Sequence, residues 1–182
     1  MNVQEATTRR LPDLKERHLP ENCRETINTI LKETYGYEQF RNLEIYDDLS
    51  KGKEKLCISQ GQLIENVILE AEKAWKSETQ VDNILLTAPT GSGKSLLFQL
   101  PAIYLGKEYN LLTIVVSPLK ALIVDQVESL QELGYARVAY ASSDLSPEQK
   151  MEVYRQVREG EIDLFYLSPE LLLSYDIKHF VG

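Results

Sequence analysis

The segment from Ala88 to Ser95 carries the residue types that could do chemistry on phosphate groups. Its sequence, Ala-Pro-Thr-Gly-Ser-Gly-Lys-Ser, follows an apolar run at 84–86 and precedes an apolar, helix-like run at 96–100. A strand, a glycine-rich turn and a helix in this order are the setting of a phosphate-binding loop. Gly91 and Gly93 permit a tight turn whose N–H groups face one concavity, and the following helix N-terminus adds a positive field. The segment therefore predicts contact with a nucleoside triphosphate.

Two residues at the end of this loop carry the groups that act on the phosphates. Lys94 supplies a mobile cation for the β- and γ-phosphates, and the hydroxyl of Ser95 is a suitable ligand for Mg²⁺. We interpret both residues as catalytic, and Ser95 as the metal ligand. Nucleotide contacts are predicted for the whole segment, which comprises Ala88, Pro89, Thr90, Gly91, Ser92, Gly93, Lys94 and Ser95.

The composition is that of an ordinary soluble globular protein, with 182 residues of which 43% are hydrophobic and 26% are charged. This length allows one sizeable core, or one domain with an appendage. No apolar run approaches the roughly 18 residues of a membrane span, and the N-terminus lacks the apolar core of a secretory signal. Cys23 and Cys57 fit no metal-ligand spacing and make a poor disulfide framework. We therefore predict reduced thiols, no membrane partner and a cytoplasmic location, bacterial in preference to nuclear.

The charge balance limits the kind of nucleic-acid contact that this chain can make. A net charge of −8 argues against a broad basic face that holds the protein on DNA or RNA. Any such contact must therefore be local, made by backbone amides, hydroxyls and a few cations. Charge alone predicts no nucleic-acid partner.

Composition and periodicity divide the chain into three parts. Residues 1–20 are polar and hold two prolines, which predicts an irregular lead-in. Residues 21–80 have mostly helical spacing of apolar residues, which predicts a helix that stops at Gly36, helical spacing again over 37–49, and a helix from 61 to 75. A charged loop is predicted at 50–55. Residues 81–182 alternate apolar strands with helices.

An α/β fold is predicted for residues 81–182. Strands are predicted at 83–87, 112–117, 137–140 and 162–168, and helices at 94–105, 119–133 and 147–159. The last helix is well marked, because Ser146 can cap it, Pro147 suits its first position and Gln149 can complete a reciprocal cap. Continuous apolar strands separated by helices indicate a parallel sheet covered on both faces. Right-handed crossovers place the loops that follow the strands along one edge of that sheet, where the phosphate loop also lies.

Three polar segments follow the later strands of this predicted sheet. They are Ser-Pro-Leu-Lys-Ala-Leu at 117–122, Ala-Ser-Ser-Asp at 141–144 and Tyr-Leu-Ser-Pro-Glu-Leu-Leu at 166–172. In this order behind the phosphate loop, they resemble the motifs of superfamily-two DEAD/DEAH-type helicases, most closely the RecQ-like group. The continuation Leu-Leu-Phe-Gln-Leu-Pro-Ala at 96–102 is similar too, which accounts for Pro101 inside a helix. The resemblance covers roughly residues 35–175.

The resemblance implies a RecA-like P-loop NTPase fold and a function as an ATP-dependent DNA helicase or translocase of 3′-to-5′ polarity. The implied cofactors are ATP and Mg²⁺, and the implied partner is DNA, as a single strand or a duplex junction. Carried over residue by residue, the positions placed to contact or support a strand are Ser117, Pro118, Lys120, Ser142, Ser143, Ser168, Pro169 and Glu170. The pair Asp125-Gln126 stays open between such a role and an ordinary solvated helix turn.

The adenine side of the site has two candidate positions. The stretch 35–41 resembles the family motif that ordinarily ends in a glutamine shortly after the Phe40-Arg41 pair, a place that Glu44 fills here. The second candidate is Gln60-Gly61-Gln62, which opens the helix leading into the first predicted strand. We favour Gln62, because an amide both donates to and accepts from the adenine edge, whereas a carboxylate only accepts. The region around Phe40-Arg41 remains the alternative, and the chain between the two positions is interpreted as an insertion.

The family pattern continues beyond the last residue of this sequence. It implies a further strand with the acidic magnesium motif and a second RecA-like domain, so we expect an N-terminal fragment that hydrolyses ATP poorly by itself. The strand at 162–168 would then lie at an open edge and expose Leu164 and Tyr166 to the rest of the helicase or to a partner protein.

Two other functions compete with the helicase interpretation. One is a non-catalytic nucleotide-binding interaction module that recruits partners through residues 1–80. The other is a small-molecule phosphotransferase, which is disfavoured because only Arg137, Arg155 and Arg158 follow the loop, whereas a lid over the phosphates needs many arginines.

Overall fold

The fold is described by a computed structural model that covers residues 23–46, 55–76, 83–86 and 90–173. Ala88 and Pro89 of the phosphate loop, and the predicted lead-in at 1–20, lie outside these residues. The described elements, in chain order, are α1 Glu25–Tyr35, β1 Asn42–Tyr46, β2 Lys55–Ser59, α2 Gln60–Trp75, α3 Leu96–Tyr109, β3 Thr113–Val116, α4 Lys120–Glu132, β4 Val138–Ala141, α5 Pro147–Arg158, β5 Leu164–Leu167 and α6 Pro169–Leu172.

A three-stranded parallel sheet forms the centre of the second half of the chain, in the order β3-β5-β4. Leu164 of β5 lies opposite Thr113 on one side and Val138 on the other. The strands alternate with helices, as the sequence predicts, because each parallel pairing needs a crossover. The α/β fold class is confirmed.

The last strand, β5, lies inside the sheet, so the predicted open edge at 162–168 is wrong. Leu164 and Tyr166 are buried, at 0% and 1% exposure. They face a core built with α1 to α4, whereas Phe165 and Leu167 face a second cluster that includes Val157 of α5. Both faces and both edges of β5 are therefore covered within the described chain. An uninterrupted apolar sequence is typical of such a doubly covered strand. The apolar run at 164–167 was therefore a sequence signal for a central position, although an open edge was predicted.

Residues 83–86 precede the phosphate loop but form no strand in the structure, unlike the prediction for 83–87. None of the described strands pairs with them. An extended segment counts as a strand only when a neighbour receives its N–H and C=O groups. Leu85 is 77% exposed, which agrees with a segment that is not covered by the described sheet.

An antiparallel strand pair, β1 with β2, includes residues 42–46 of the stretch 37–49, for which helical spacing is predicted. Residues 47–49 lie outside the described residues. Asn42 pairs with Ser59, and Tyr46 pairs with Lys55. The sequence from Asn42 to Ile45 also fits strand periodicity, since Leu43 and Ile45 alternate with polar residues. Over so short a run both periods match, and the pairing with 55–59 decides between them.

The predicted boundaries of α5 are confirmed by its caps. The Ser146 hydroxyl accepts from the N–H of Gln149 at 3.2 Å, and the Gln149 side chain accepts from the N–H of Ser146 at 2.8 Å. Pro147 occupies the first turn. The helix ends where Gly160 takes a positive φ of 71°.

Arg24 joins the N-terminal helices to α3. Its guanidinium donates to Glu65 at 2.5 Å, to Glu72 at 2.9 Å and to the hydroxyl of Tyr104 at 2.6 Å. Tyr109 also donates to Glu72, at 2.8 Å. Both glutamates are buried. Buried carboxylates are tolerated only when they are paired and hydrogen-bonded, so this cluster fixes α1 and α2 on the helix that follows the phosphate loop.

We expect Glu72→Gln to reduce the pH dependence of folding stability. The hydrogen bond from Arg24 holds the pKa of Glu72 below its ordinary 4.5. The stabilisation is therefore present above the ordinary glutamate pKa and is lost as the pH falls below it. At pH 7 the variant should lose about 1–3 kcal/mol of unfolding free energy. Urea titrations between pH 7 and pH 3 measure both effects. Glu152→Gln is the matched control, because that carboxylate is exposed; equal losses in the two variants would contradict the prediction.

Candidate nucleotide and nucleic-acid site

The described part of the phosphate loop, residues 90–95, is a turn with two left-handed glycines. Gly91 has a φ of 80° and Gly93 a φ of 77°, which side chains with a Cβ rarely adopt. A Cβ on Gly91 would meet nothing within 4 Å, so only the backbone conformation requires glycine there. A Cβ on Gly93 would lie 2.6 Å from the side-chain nitrogen of Gln60, so this position also needs the space.

Helix α3 begins directly after this turn. The N–H of Leu96 donates to the carbonyl of Gly93 at 3.2 Å, and the N–H of Leu97 donates to that of Lys94 at 3.0 Å. Thr90, Gly91 and Lys94 are exposed, and Ser95 is partly exposed. The segment is therefore turned and open to solvent, with a lysine and a hydroxyl at a helix N-terminus. This arrangement suits the binding of an anion.

The chemistry of Ser95 fits a magnesium ion that is shared with phosphates. No group of three or more His, Cys, Asp or Glu side chains within the described ranges could hold a metal by itself. Mg²⁺ usually keeps several waters and takes few protein ligands besides substrate phosphates. A single serine hydroxyl next to a phosphate loop satisfies that requirement.

Gln60, which the sequence offered only within the adenine candidate at 60–62, contacts the phosphate loop instead. Its side chain is buried, its Nε2 donates to the carbonyl of Ser92 at 3.1 Å, and its Oε1 accepts from the N–H of Arg41 at 3.1 Å. The side chain therefore links the phosphate loop to the segment that follows Phe40. Gly93 lies so close to the Gln60 side chain that a larger residue would not fit there. The sequence signal for this contact was a glutamine at the start of a helix.

Gln62, the residue favoured for adenine, takes part in the cap of α2. Its Oε1 accepts from the N–H of Ser59 at 3.0 Å, which completes a capping box. The Ser-x-x-Gln signature over 59–62 is the same one that marks the start of α5. The alternative residue, Glu44, is exposed on β1. The assignment of Gln62 to adenine stays a prediction, and it requires the amide to serve both the cap and the base.

The three loops that follow β3, β4 and β5 converge on one cavity of about 360 Å³. All but one of its lining residues belong to the set that the sequence predicted to contact a DNA strand. The cavity is lined by Pro118, Lys120, Ser143, Ser168, Glu170 and Leu171. The carboxyl ends of parallel strands meet at one edge of a sheet, and the order β3-β5-β4 therefore brings these loops together.

The other three predicted residues lie beside the cavity lining. The Ser117 hydroxyl accepts from the N–H of Leu119 at 3.4 Å. Ser142 is buried, and its hydroxyl accepts from the N–H of Asp144 at 3.4 Å. Pro169 occupies the first turn of α6. These three residues belong to the loops that carry the lining residues.

Lys120 is the cation of this cavity, and it is held by its neighbours. Its Nζ donates to the carboxylate of Asp144 at 2.9 Å and also to the hydroxyl of Ser143. The lysine lowers the pKa of Asp144, so that carboxylate is charged at neutral pH. Hydrogen bonding from Ser168 lowers the pKa of Glu170. The hydroxyl groups and the lysine of this cavity suit local contact with a sugar–phosphate chain, whereas the nearby carboxylates only accept hydrogen bonds and repel phosphates.

The structure separates the two members of the pair Asp125-Gln126. Asp125 is exposed, as in a solvated helix turn. The Oε1 of Gln126, by contrast, accepts from the side chain of the buried Gln99 at 2.8 Å. Gln126 is therefore part of the contact between α4 and α3.

No helix in the described part of the chain is both long and apolar enough to cross a membrane.

A parallel α/β sheet, a left-handed glycine turn and a helix that starts at a Lys-Ser pair define the architecture of a P-loop NTPase. Residues 68–180 match the family model of the DEAD/DEAH box helicase. This match covers more than half of the 182 residues, so the chain belongs to the DEAD/DEAH box helicase family.

The curated relatives are RecQ-type helicases. The chain is 34% identical over 151 residues to the ATP-dependent DNA helicase RecQ of Synechocystis sp., which covers 83% of the chain and 25% of that protein. It is 32% identical to RecQ of Bacillus subtilis, over 81% of the chain and 20% of the relative. The RecQ-like resemblance read from the motifs is confirmed. The chain spans a quarter or less of the length of these relatives.

Solved structures agree with the fold. Two crystal structures of the DUF1998 helicase MrfA, one bound to DNA and AMPPNP and one bound to DNA, are 20% identical to the chain. Their TM-scores are 0.52 and 0.53, over 91% of the chain and 19% and 18% of those proteins. At this identity the likeness extends to the fold alone.

Proposed function

We propose that this chain binds ATP and Mg²⁺ as part of an ATP-dependent DNA helicase. The observation that carries the proposal is the exposed turn at 90–95, with Gly91 and Gly93 left-handed and Lys94 and Ser95 at the start of α3. The N–H groups and Lys94 bind the phosphates, and Ser95 holds the magnesium ion. The DEAD/DEAH family match and the RecQ-type relatives support this function.

DNA is the proposed partner of the cavity at the ends of β3, β4 and β5. A single strand contacts Lys120, Ser143, Ser168 and Glu170, and the loops that hold them are shaped by Ser117, Pro118, Ser142 and Pro169. Hydroxyl groups and one lysine fit an acidic chain, because they need no wide basic surface. Family membership supports DNA, since the curated relatives are named as DNA helicases.

The phosphate loop is connected to this cavity through α3, which contacts β5. Gln99, in the first turns of α3, donates to the hydroxyl of Tyr166 at 3.0 Å. Tyr166 is the third of four residues in β5, which leads directly to Ser168. The N-terminus of α3 therefore lies near the carboxyl end of β5. A helicase needs this arrangement, because nucleotide chemistry has to act on the bound strand.

We expect Lys94→Ala to weaken nucleotide binding about 100-fold, which equals about 2.7 kcal/mol, while the unfolding temperature stays unchanged. Lys94 is exposed and contributes little to packing. Titration calorimetry with MgATP measures the affinity. Lys107→Ala is the matched control, because it removes another exposed lysine at the far end of α3. Equal affinities in the two variants would show that the phosphate loop is wrongly assigned.

An assay of ATP hydrolysis distinguishes the helicase from the competing function, a passive nucleotide-binding module. In the full-length gene product we expect single-stranded DNA to stimulate ATP hydrolysis, and Lys94→Ala to abolish that stimulation. A parent protein that binds ATP but hydrolyses none with DNA present is a passive module.

We expect Gln62→Ala to reduce the preference for ATP over GTP more than it reduces the affinity for phosphates. An amide both donates to and accepts from the adenine edge, whereas a methyl group does neither. The affinities for ATP, GTP and inorganic pyrophosphate measure the two effects. Glu44→Ala is the control for the second candidate position. An unchanged ATP-to-GTP ratio in Gln62→Ala, with a changed ratio in Glu44→Ala, would transfer the role to β1.

We expect Asp144→Asn to strengthen binding of single-stranded DNA by about 3-fold, since a surface ion pair competes for Lys120 with only modest energy. The released lysine then binds a backbone phosphate, so the affinity should fall more steeply with salt, by about 0.7 in logarithmic slope. Fluorescence anisotropy at several salt concentrations measures both quantities. Glu132→Gln is the matched control, because it also removes one negative charge, at the end of α4 opposite Lys120. If it strengthens binding equally, net charge explains the effect and Asp144 has no specific role.

A further inference from the structure

One buried amide, the side chain of Gln99, joins four elements of the fold. Its Nε2 donates to Oε1 of Gln126 at 2.8 Å and to the hydroxyl of Tyr166 at 3.0 Å. Its Oε1 accepts from the hydroxyl of Tyr35 at 3.3 Å. Gln99 is only 5% exposed. Both N–H groups and the oxygen of this amide are therefore used inside the protein.

The orientation of this amide follows from its partners. If its oxygen and nitrogen alone were exchanged, two amide oxygens would face each other at 2.8 Å, between Gln99 and Gln126. Burial raises the pKa of Tyr166 to about 12, so its hydroxyl stays neutral across the physiological range. The pKa of Tyr35 is raised as well, mainly by burial. The hydrogen bonds of Gln99 therefore do not depend on pH near neutrality.

The partners of Gln99 belong to the elements of both candidate sites. The N–H of Gln99 donates to the carbonyl of Ser95 at 2.9 Å, which places the amide one helical turn from the phosphate loop. Gln126 lies on α4, the helix that begins at Lys120. Tyr166 lies two residues before Ser168, and Tyr35 ends α1, where the adenine-side segment begins.

Filling the core does not by itself require a glutamine at this position. A buried amide loses its hydration and regains that energy only if every polar atom finds a partner. Leucine would fill a similar volume without that requirement. The three partners of Gln99 come from three different elements, and each must keep its position for the amide to be satisfied. A shift of α3 therefore changes the hydrogen bonds to α4 and β5 directly.

We propose that Gln99 is a positioning residue that couples nucleotide binding at the phosphate loop to the binding of single-stranded DNA at the cavity lined by Lys120 and Ser168. The proposal rests on the proposed function and adds a residue to it. Phosphates that draw the first turn of α3 toward them move Gln99, and its two N–H bonds transmit that movement to α4 and β5. By linkage, a bound strand changes the nucleotide affinity by the same factor.

The test measures a coupling factor in the full-length protein. This factor is the dissociation constant for single-stranded DNA without nucleotide, divided by the constant with a magnesium-bound, non-hydrolysable ATP analogue. Coupling factors between sites are typically about 5 to 150. We expect Gln99→Leu to bring the factor close to 1, and Tyr166→Phe to reduce it about 3-fold because one of the bonds is lost. Nucleotide affinity without DNA should stay within about 2-fold of the parent in both.

Tyr135→Phe is the matched control for Tyr166→Phe. Tyr135 is also buried, and its hydroxyl donates to the carboxylate of Asp163. Asp163 directly precedes β5, at the opposite end of the strand from Ser168. Tyr135 lies in the loop between α4 and β4. The control therefore removes one buried hydroxyl that contacts the residue before β5, away from both sites. A merely structural role of Gln99 would lower the unfolding temperature but would leave the coupling factor as it is in Tyr135→Phe.

The outcomes separate this proposal from the proposed function. If Gln99→Leu and Tyr166→Phe keep the coupling factor of the parent, Gln99 has no coupling role, although the protein is still a nucleotide-dependent DNA-binding enzyme. A parent protein without coupling overturns the proposal as well. If Gln99→Leu does not fold, Tyr166→Phe against Tyr135→Phe decides. Failure of the proposed function appears separately, as a parent that binds no MgATP.

Discussion

The burial of β5 between β3 and β4 is the constraint on which the rest of this structure depends. Its four residues alternate between two cores, so that helices must cover both faces of the sheet. Its ladder bonds set the register of both neighbours. The loops that follow β3, β4 and β5 therefore begin at the same edge of the sheet. Their hydroxyl groups and Lys120 line one cavity. A four-residue apolar strand thus determines where the polar chemistry of this half of the protein lies.

The phosphate loop depends on the same strand through α3. Tyr166 of β5 and the Arg24 cluster hold this helix from two sides, by hydrogen bonds to Gln99 and to Tyr104. The turn before the helix is held by the buried Gln60 and by two glycines in left-handed conformations. An exposed turn at the N-terminus of a helix that is hydrogen-bonded to its neighbours is a suitable arrangement for binding a polyphosphate.

The sequence predicted those features that depend on local chemistry. The caps of α5, the glycine turn, the helix N-terminus at Ser95 and the convergence of the loops all follow from short patterns and from the geometry of parallel sheets. The family was also recognisable, because several weak motifs occurred in a fixed order.

Features that depend on pairing were not predictable in the same way. The central place of β5 follows from its pairing with both β3 and β4, although its uninterrupted apolar sequence was an indication. The hairpin of β1 and β2 needed a partner outside the window that suggested helical spacing. Gln60 and Gln126 could not be assigned to inward contacts, since the sequence does not tell which amide points inward. Tertiary contacts assign Gln60 to the phosphate loop and Gln126 to Gln99, whereas the local Ser-x-x-Gln signature marks the cap role of Gln62.

The central claim is that the turn before α3 binds a nucleotide and that the cavity at the ends of β3, β4 and β5 binds a strand of DNA. Amide NMR shifts test it most directly, by titration with a magnesium-bound ATP analogue and then with single-stranded DNA. The account predicts that the nucleotide shifts the amides of Gly91, Gly93 and Ser95, and that DNA shifts those of Lys120, Ser143 and Ser168. Saturating nucleotide that leaves all amides between 90 and 96 unchanged would contradict it.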